Sequence, residues 1–202
     1  ERGVFKSIDG GKSWQKSLFI SDNTGIVDMA MDVSNPNVIY AAAYEKYRYP
    51  WTLITGGKET GIYKTTDGGK SWKKLSQGLP TGNLGRIGLD VCRGKPNVVY
   101  AVIENINLRD PFSTEIKADS AAGLSPQKRE IGGEVYRSDD AGATWRKTNR
   151  MEDNVGGKAA YSFNTLRVDP QDPQKVYVTD LNLQHSYDGG KTCDYYDNIP
   201  GG

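Results

Sequence analysis

A short group of residues, called the box below, occurs four times in this 202-residue chain and constrains the fold more than any other feature. Each box has a Ser or Thr, an Asp two residues later, a Gly after two more, and a second Ser or Thr two residues beyond. A tryptophan follows in three boxes and a cysteine in the fourth. The positions are Ser7, Asp9, Gly11, Ser13 and Trp14; Thr65, Asp67, Gly69, Ser71 and Trp72; Ser138, Asp140, Gly142, Thr144 and Trp145; and Ser186, Asp188, Gly190, Thr192 and Cys193.

The chemistry of the box predicts a tight turn between two strands. An aspartate carboxylate accepts hydrogen bonds from the backbone amides that follow it, and glycine permits a positive φ. We expect the tryptophan ring to pack between neighbouring units, and Cys193 either to weaken that packing or to be compensated by a neighbouring segment. A calcium loop is the alternative, but only one carboxylate position is common to all four boxes, so we predict no metal site.

A second element lies between the boxes and consists of two β-rich runs joined by a proline turn. In each of its three copies a proline precedes a tyrosine by four residues, and the polar and apolar residues near Val27 alternate as in a strand. Together, this hairpin and the box hairpin make a unit of four short strands. In the second complete unit we expect strands over residues 86–92, 98–104, 134–138 and 144–148.

Repeated four-stranded antiparallel units predict an all-β fold, a β-propeller whose blades carry the box hairpins. A β-sandwich is the alternative, but it does not require nearly identical turns in each unit. The predicted units cover residues 1–18, which would end a blade, and then 26–75, 85–148 and 161–197. About three and a half blades do not close a ring, so we expect a fragment of a larger propeller whose remaining blades are missing from this chain. Completion by several chains is the other possibility.

Composition excludes several classes of function. Lys and Arg number 26 against 25 for Asp and Glu, so no basic field attracts nucleic acid or anionic lipid. No stretch approaches the roughly 20 apolar residues that span a bilayer. The single histidine, His185, argues against a histidine-based triad or a multi-histidine metal centre, and two cysteines do not make a disulfide framework. We predict no cofactor.

The boxes resemble those of the Asp-box, or bacterial-neuraminidase-repeat, superfamily of β-propellers. That superfamily includes sialidases, xyloglucan-cleaving glycosidases, sortilin-type receptor propellers and photosystem assembly propellers. The phrases GRIGLDV, NPNVIYAA and GIYKTTDGGKSW are similar to those of large bacterial proteins, secreted or periplasmic, with sortilin-like or xyloglucanase-like repeats. The resemblance implies a propeller, a structural box remote from any active site, and an extracellular or periplasmic location.

Strand order predicts which face carries function. The proline turns and the boxes emerge on one face, here called the box face, and the long insertions at residues 44–60, 104–133 and 149–160 emerge on the opposite one, the loop face. Long loops on a rigid scaffold are the usual place for binding. The first insertion is rich in aromatic and cationic residues, which are frequent in binding hot spots and on sugar-stacking surfaces. We predict a ligand or partner site at Tyr44, Tyr47, Arg48, Tyr49 and Trp51; packing of these rings onto their own blade is the alternative.

Two functions remain open. A non-catalytic scaffold that binds protein, peptide or glycan on the loop face requires only the aromatic loops, and we favour it. A glycoside hydrolase requires two carboxylates that flank the bond. No carboxylate falls in a recognisable catalytic motif, so catalytic residues are not assigned, and a sialidase would need an arginine triad that cannot be completed. The candidate carboxylates that we expect to face the loop side are Glu45, Glu59, Asp110, Asp153 and Asp28.

Overall fold

The protein is described by a computed structural model over residues 1–109, 130–150, 155–156 and 160–196. Within these ranges the regular structure consists of fifteen β-strands in four antiparallel sheets. The same ranges contain no helix long and apolar enough to cross a membrane. The predicted all-β fold of four-stranded antiparallel units is therefore confirmed.

The sheets follow one another along the chain, and in the last three the strands are ordered from the first to the fourth. The first sheet contains β1 (Val4–Lys6) and β2 (Gln15–Leu18). The second contains β3 (Thr24–Met31), β4 (Ile39–Arg48), β6 (Gly61–Thr65) and β7 (Lys73–Lys74), with β5 (Leu53–Thr55) beside the end of β4. The third contains β8 (Leu84–Val91), β9 (Val99–Leu108), β10 (Glu130–Ser138) and β11 (Arg146–Lys147), and the fourth β12 (Thr165–Val168), β13 (Val176–Thr179), β14 (Leu183–Ser186) and β15 (Asp194–Tyr195).

Several strands run further into the insertions than the sequence indicated. The β9–β10 ladder continues as far as the pairing of Leu108 with Glu130, and β4 continues to Arg48. The end of β9 alternates polar Asn105 and Asn107 with apolar Ile106 and Leu108, as suits the two faces of a strand, and the end of β4 pairs with β5. Parts of the predicted insertions are therefore regular hairpins. Residues 110–129, and most of 149–160, lie outside the described ranges.

Apolar side chains fill the seams between sheets. One core cluster joins the second and third sheets through residues such as Tyr40, Ile62, Ile87 and Trp145. The other joins the third and fourth sheets through Tyr100, Val135, Leu166 and Val178, and Cys193 packs against it. Cys193 thus lies at the seam between the third and fourth sheets, as Trp145 lies at the seam between the second and third. The sheets are therefore held together face against face.

Each box forms the hydrogen-bonded turn that its chemistry favours. In the second box the Asp67 Oδ1 atom accepts hydrogen bonds from the backbone N–H groups of Lys70 and Ser71, both at 2.9 Å, and the Ser71 hydroxyl donates to Oδ2. The Thr65 hydroxyl donates to Asp67 and accepts from the Gly69 amide at 2.9 Å. Equivalent bonds occur in the other three boxes. Every box carboxylate is thus committed to its own turn.

The boxes are also tied to the proline turns. The residue after the box Asp donates its N–H to a carbonyl of its own blade's proline turn: Gly68 to Asn37 at 3.0 Å, Ala141 to Asn97 at 2.8 Å, and Gly189 to Gln174 at 2.9 Å. Proline turns and boxes therefore lie at the same end of the strands, on the box face. The connection between β4 and β6 leaves from the opposite end, on the loop face.

Candidate functional site

The predicted aromatic residues lie on a hairpin that projects from the second sheet at its loop face. The end of β4 pairs with β5, with Tyr47 opposite Ile54 and Arg48 opposite Leu53. Tyr49 and Thr52 exchange backbone hydrogen bonds of 2.8 and 3.4 Å, which closes the hairpin around Pro50 and Trp51. A proline at the first central position suits such a turn because its φ is already fixed. We call residues 44–55 the aromatic hairpin.

Three rings form a row at the tip of the aromatic hairpin. The Tyr47 and Tyr49 ring centroids are 4.3 Å apart in a tilted arrangement, and Tyr49 and Trp51 are stacked at 5.4 Å with an interplanar angle of 18°. Trp51 is 79% exposed, and Tyr47 is also exposed. Offset stacking of this kind holds rings in place while one face stays open. The tip therefore presents a preformed aromatic surface.

The two remaining predicted residues differ from this row. Arg48 is exposed, and no described residue hydrogen-bonds or forms an ion pair with its guanidinium. Tyr44 is only 1% exposed. Its side chain lies on the opposite face of β4 from Tyr47, because alternate residues of a strand point to opposite faces. Tyr44 thus belongs to the interior beneath the hairpin and presents no open ring.

The aromatic hairpin also reaches across the loop face towards the fourth sheet. The Lys46 ammonium donates to the Tyr161 carbonyl at 3.1 Å and lies 5.7 Å from the centre of the Tyr161 ring. The same ammonium lies 5.9 Å from the Tyr44 ring. This contact brings together residues 115 positions apart. The part of the loop face formed by Tyr44, Lys46, Arg86, Glu104 and Asn164 is here called the mouth.

Glu104 is a residue of the mouth that the sequence interpretation did not select. It comes after the apolar run of β9 and lies on the same strand face as Tyr100 and Val102. A charged residue at this position is the sequence signal that could have identified it. Gly85 and Arg86 form an irregularity in the β8–β9 ladder opposite it. The Arg86 amide donates to the Glu104 carboxylate at 3.2 Å, and a Cβ on Gly85 would lie 1.9 Å from that carboxylate. Such irregularities redirect side chains, often beside functional sites.

The surroundings of Glu104 favour a protonated carboxyl near neutral pH. Burial raises the pKa of Glu104 to about 7; the Arg86 amide opposes this rise, and the charges of Glu130 and Asp180 add to it. Burial also raises the pKa of Glu130. Carboxyls with raised pKa values are typical of general acids and of buried binding sites. Glu104 is therefore a described carboxyl whose pKa burial raises into the neutral range.

Buried polar atoms without partners also gather near the mouth. Among the described residues, the Tyr44 hydroxyl, the Arg86 Nε and the Asn164 Oδ1 have no hydrogen-bond partner. Asn164 has a positive φ of 70°, and its amide donates to the Arg86 carbonyl at 3.1 Å. Unpaired buried polar atoms are uncommon and call for a water or a ligand. Here the Tyr44, Arg86 and Asn164 side chains thus each have a buried polar atom that hydrogen-bonds to no protein group among the described residues.

The carboxylates predicted as catalytic candidates have structural partners where they are described. Glu45 accepts from the Glu59 amide at 3.2 Å, and Glu59 accepts from the hydroxyls of Ser21 and Thr24. Asp28 accepts from the Leu89 amide at 2.9 Å, which ties the second sheet to the third. Asp110 and Asp153 lie outside the described ranges. The described part of the chain contains no group of three or more His, Cys, Asp or Glu residues that could hold a metal ion.

Comparison with known proteins gives the fold a family context. The BNR/Asp-box repeat matches residues 63–74. A probable oligoxyloglucan-reducing end-specific xyloglucanase from Neosartorya fischeri is 28% identical over 143 residues, which are 70% of this chain and 13% of that protein. The chain therefore spans about an eighth of this relative's length.

Solved structures agree on the fold. The GH74 xyloglucanase from Xanthomonas campestris superposes with a TM-score of 0.57 at 20% identity, over 92% of this chain and 24% of that one. The GH74 enzyme from Niastella koreensis superposes with a TM-score of 0.59 at 19% identity, over 96% of this chain and 26% of that one. At these identities the likeness concerns the fold alone. The chain thus contains an Asp-box repeat, has the four-stranded antiparallel sheets of a partial β-propeller, and is similar to xyloglucanase-like proteins.

Proposed function

We propose that this part of the propeller is a non-catalytic binding surface that holds a glycan on the aromatic hairpin. The observation that carries the proposal is the row of Tyr47, Tyr49 and Trp51, with Trp51 79% exposed. Aromatic faces stack on the apolar faces of sugar rings, and a row of rings suits a linear chain of sugars. Pairing of β4 with β5 fixes the row before a ligand arrives, which lowers the entropy cost of binding.

The relatives favour a glycan over a polypeptide as the ligand. The curated relative is named as a xyloglucanase, so a β-glucan with side chains is the first ligand to test. Because such polymers lie outside cells, the proposal includes an extracellular or periplasmic location. A protein partner is the competing ligand, since exposed Tyr, Trp and Arg residues are also frequent in protein interfaces.

Affinity gel electrophoresis tests the glycan proposal. Migration of the protein is compared in gels with and without xyloglucan, and mannan serves as a second polymer. We expect retardation by xyloglucan and at least a tenfold loss of affinity in Trp51→Ala, which corresponds to about 1.4 kcal/mol. Trp14→Ala is the matched control, because Trp14 is also exposed but belongs to a box. Equal retardation of Trp51→Ala and the unaltered protein would rule out the aromatic hairpin.

A second candidate function is glycoside hydrolysis with Glu104 as the proton donor. The specific observation is the raised pKa of Glu104, about 7, at the mouth. A general acid must be protonated at working pH, and a second carboxyl must activate water or attack the sugar. Release of reducing ends from xyloglucan is the assay. Turnover that disappears in Glu104→Gln would replace the binding proposal with this one.

A further inference from the structure

A cavity of 140 Å³ lies at the seam between the second and third sheets. Its floor is formed by the buried side chains of Ile62, Ile87 and Ile103, which belong to the core cluster of this seam. Lys58 and Thr60 also line it, so the cavity opens beside the connection between β4 and β6, on the loop face. Protein interiors are close-packed and contain few voids larger than a water molecule. A space of this size that reaches the core is therefore a candidate binding site.

The third sheet provides a comparison, because its four strands follow the same order. Leu75 and Thr148 occupy equivalent positions just after the fourth strand of their sheets. Each donates its N–H at 2.8 Å to a carbonyl of the third strand, Leu75 to Ile62 and Thr148 to Val135. The residues that come next in the two sheets are therefore also equivalent.

In the third sheet this next residue is Asn149, whose side chain fills the equivalent space. Asn149 is 5% exposed, its amide oxygen accepts from the Val135 N–H at 2.8 Å, and its amide nitrogen donates to the Gly133 carbonyl at 3.3 Å. Val155 lies against Gly133: it is fully buried, and a Cβ on Gly133 would lie 1.9 Å from its carbonyl oxygen. A side-chain amide and an apolar residue thus occupy in the third sheet the place that the cavity takes in the second.

In the second sheet the equivalent residue is Ser76, which is short and exposed and lines the cavity. The N–H and C=O groups of one residue point to the same side of an antiparallel strand. Because the Ile62 carbonyl faces Leu75, the Ile62 N–H also faces that side, where the Asn149 amide oxygen lies in the third sheet. The cavity therefore offers a backbone donor to an acceptor oxygen of a ligand.

The charge at the rim of the cavity is positive. Lys58 and Lys74 line it, and in the described part of the chain no acidic residue does so. The Lys74 ammonium donates to the Lys58 carbonyl at 3.3 Å, which places it beside the cavity. Glu59 follows Lys58 in the chain, but its carboxylate accepts from the hydroxyls of Ser21 and Thr24. Two cations beside an apolar floor suit a ligand with one negative charge.

We propose that this cavity binds a small monocarboxylate whose apolar body has about the size of a benzene ring. A carboxylate oxygen accepts from the Ile62 N–H, as the Asn149 amide oxygen does from Val135, and the two lysines neutralise the charge. The apolar body packs against Leu79 and Ile103. An apolar cavity of about 150 Å³ binds benzene, so the volume of 140 Å³ suits a ring of this size.

Benzoate tests the proposal, and benzylamine, which has a similar size but the opposite charge, is the control ligand. Nitrogen–proton and methyl-selective correlation spectra of the chain follow both titrations. We expect benzoate to shift the amide signal of Ile62 and the methyl signals of Ile87 and Ile103, and benzylamine to leave them in place. The proposal is overturned if benzoate shifts none of these signals at its solubility limit, or if benzylamine shifts them equally.

Two variants and a matched control test the role of the lining residues. Lys74→Ala removes a cation, and Ser76→Asn introduces the amide that fills this space in the third sheet, so each should weaken benzoate binding at least tenfold. Lys73→Ala is the control, because neighbouring strand residues point to opposite faces and Lys73 does not line the cavity. Far-UV circular dichroism checks that every variant is folded. Equal affinity in Lys74→Ala, Ser76→Asn and the unaltered chain would overturn the proposal, as would an equal loss in Lys73→Ala.

Trp51→Ala separates this proposal from the glycan proposal. Its ring lies on the aromatic hairpin, so the variant should bind benzoate like the unaltered chain. Loss of xyloglucan binding with unchanged benzoate binding supports two separate sites. Loss of benzoate binding in Trp51→Ala would contradict the cavity as the benzoate site.

Discussion

Two tryptophans at the same box position should contribute very differently to stability. In both, the indole N–H donates to the carbonyl of the box glycine at 3.2 Å, Trp14 to Gly11 and Trp145 to Gly142. This bond therefore cancels in a comparison of Trp14→Ala with Trp145→Ala. What differs is burial, because Trp14 is 62% exposed and Trp145 only 5% exposed. A comparison of the two variants therefore measures how much packing at a seam contributes to the free energy of unfolding.

The expected magnitudes follow from these exposures. Replacement of a buried tryptophan by alanine costs about 3–5 kcal/mol, and Trp145 packs in the cluster that joins the second and third sheets. A tryptophan can bury roughly 150–250 Å², and at about 25 cal/mol per Å² the covered part of Trp14 is worth about 2 kcal/mol at most. We therefore expect Trp145→Ala to lower the free energy of unfolding by at least about 1 kcal/mol more than Trp14→Ala does.

Urea unfolding followed by far-UV circular dichroism measures both losses, since this signal does not depend on tryptophan fluorescence. The slope of the free energy against urea should be similar in both variants, so that the midpoints report stability. Equal losses in the two variants would refute the assignment of the box tryptophan to seam packing. A larger loss in Trp14→Ala would do so even more clearly.

Further predictions concern charge. Burial raises the folded-state pKa of Glu104 to about 7 from 4.5, so its ionisation should destabilise the fold as pH rises from about 4.5 to 7. Glu104→Gln should therefore stabilise the protein at pH 8, by as much as about 3 kcal/mol, and have little effect at pH 4; thermal unfolding at both pH values measures this. Hydrogen bonds from Ser13 lower the pKa of Asp9 to about 2, and those from Thr144 do the same for Asp140. Both carboxylates should stay ionised at pH 3, as carboxyl carbon NMR shifts would report; titration near pH 4 would contradict the observed box hydrogen bonds.

The fold could be predicted from the sequence because its signals are local. A box such as Thr65 to Trp72 makes its hydrogen bonds within a few residues, and its repetition indicates that the blades are equivalent. The proline turns carry the same kind of local information. Strand length was less predictable, since the continuation of β9 to Leu108 depends on a partner strand more than 20 residues away.

The candidate site was only partly predictable, because it depends on contacts between blades. The exposed row at Trp51 follows from an aromatic-rich insertion, but the burial of Tyr44 depends on which face of β4 meets the next blade. The position of Glu104 depends on a ladder irregularity at Arg86, which no local pattern specifies. The contact between Lys46 and Tyr161 joins residues 115 apart and becomes visible only when the blades are assembled.

The central claim is that the boxes build the scaffold while the loop face binds the ligand. The chain contains four tryptophans, Trp14, Trp51, Trp72 and Trp145, and each gives one indole N–H signal in a nitrogen–proton correlation spectrum. Titration with xyloglucan oligosaccharides should shift the Trp51 signal and leave the three box signals in place. A spectrum in which a box tryptophan moves while Trp51 stays fixed, or in which none of the four signals moves, would contradict the claim.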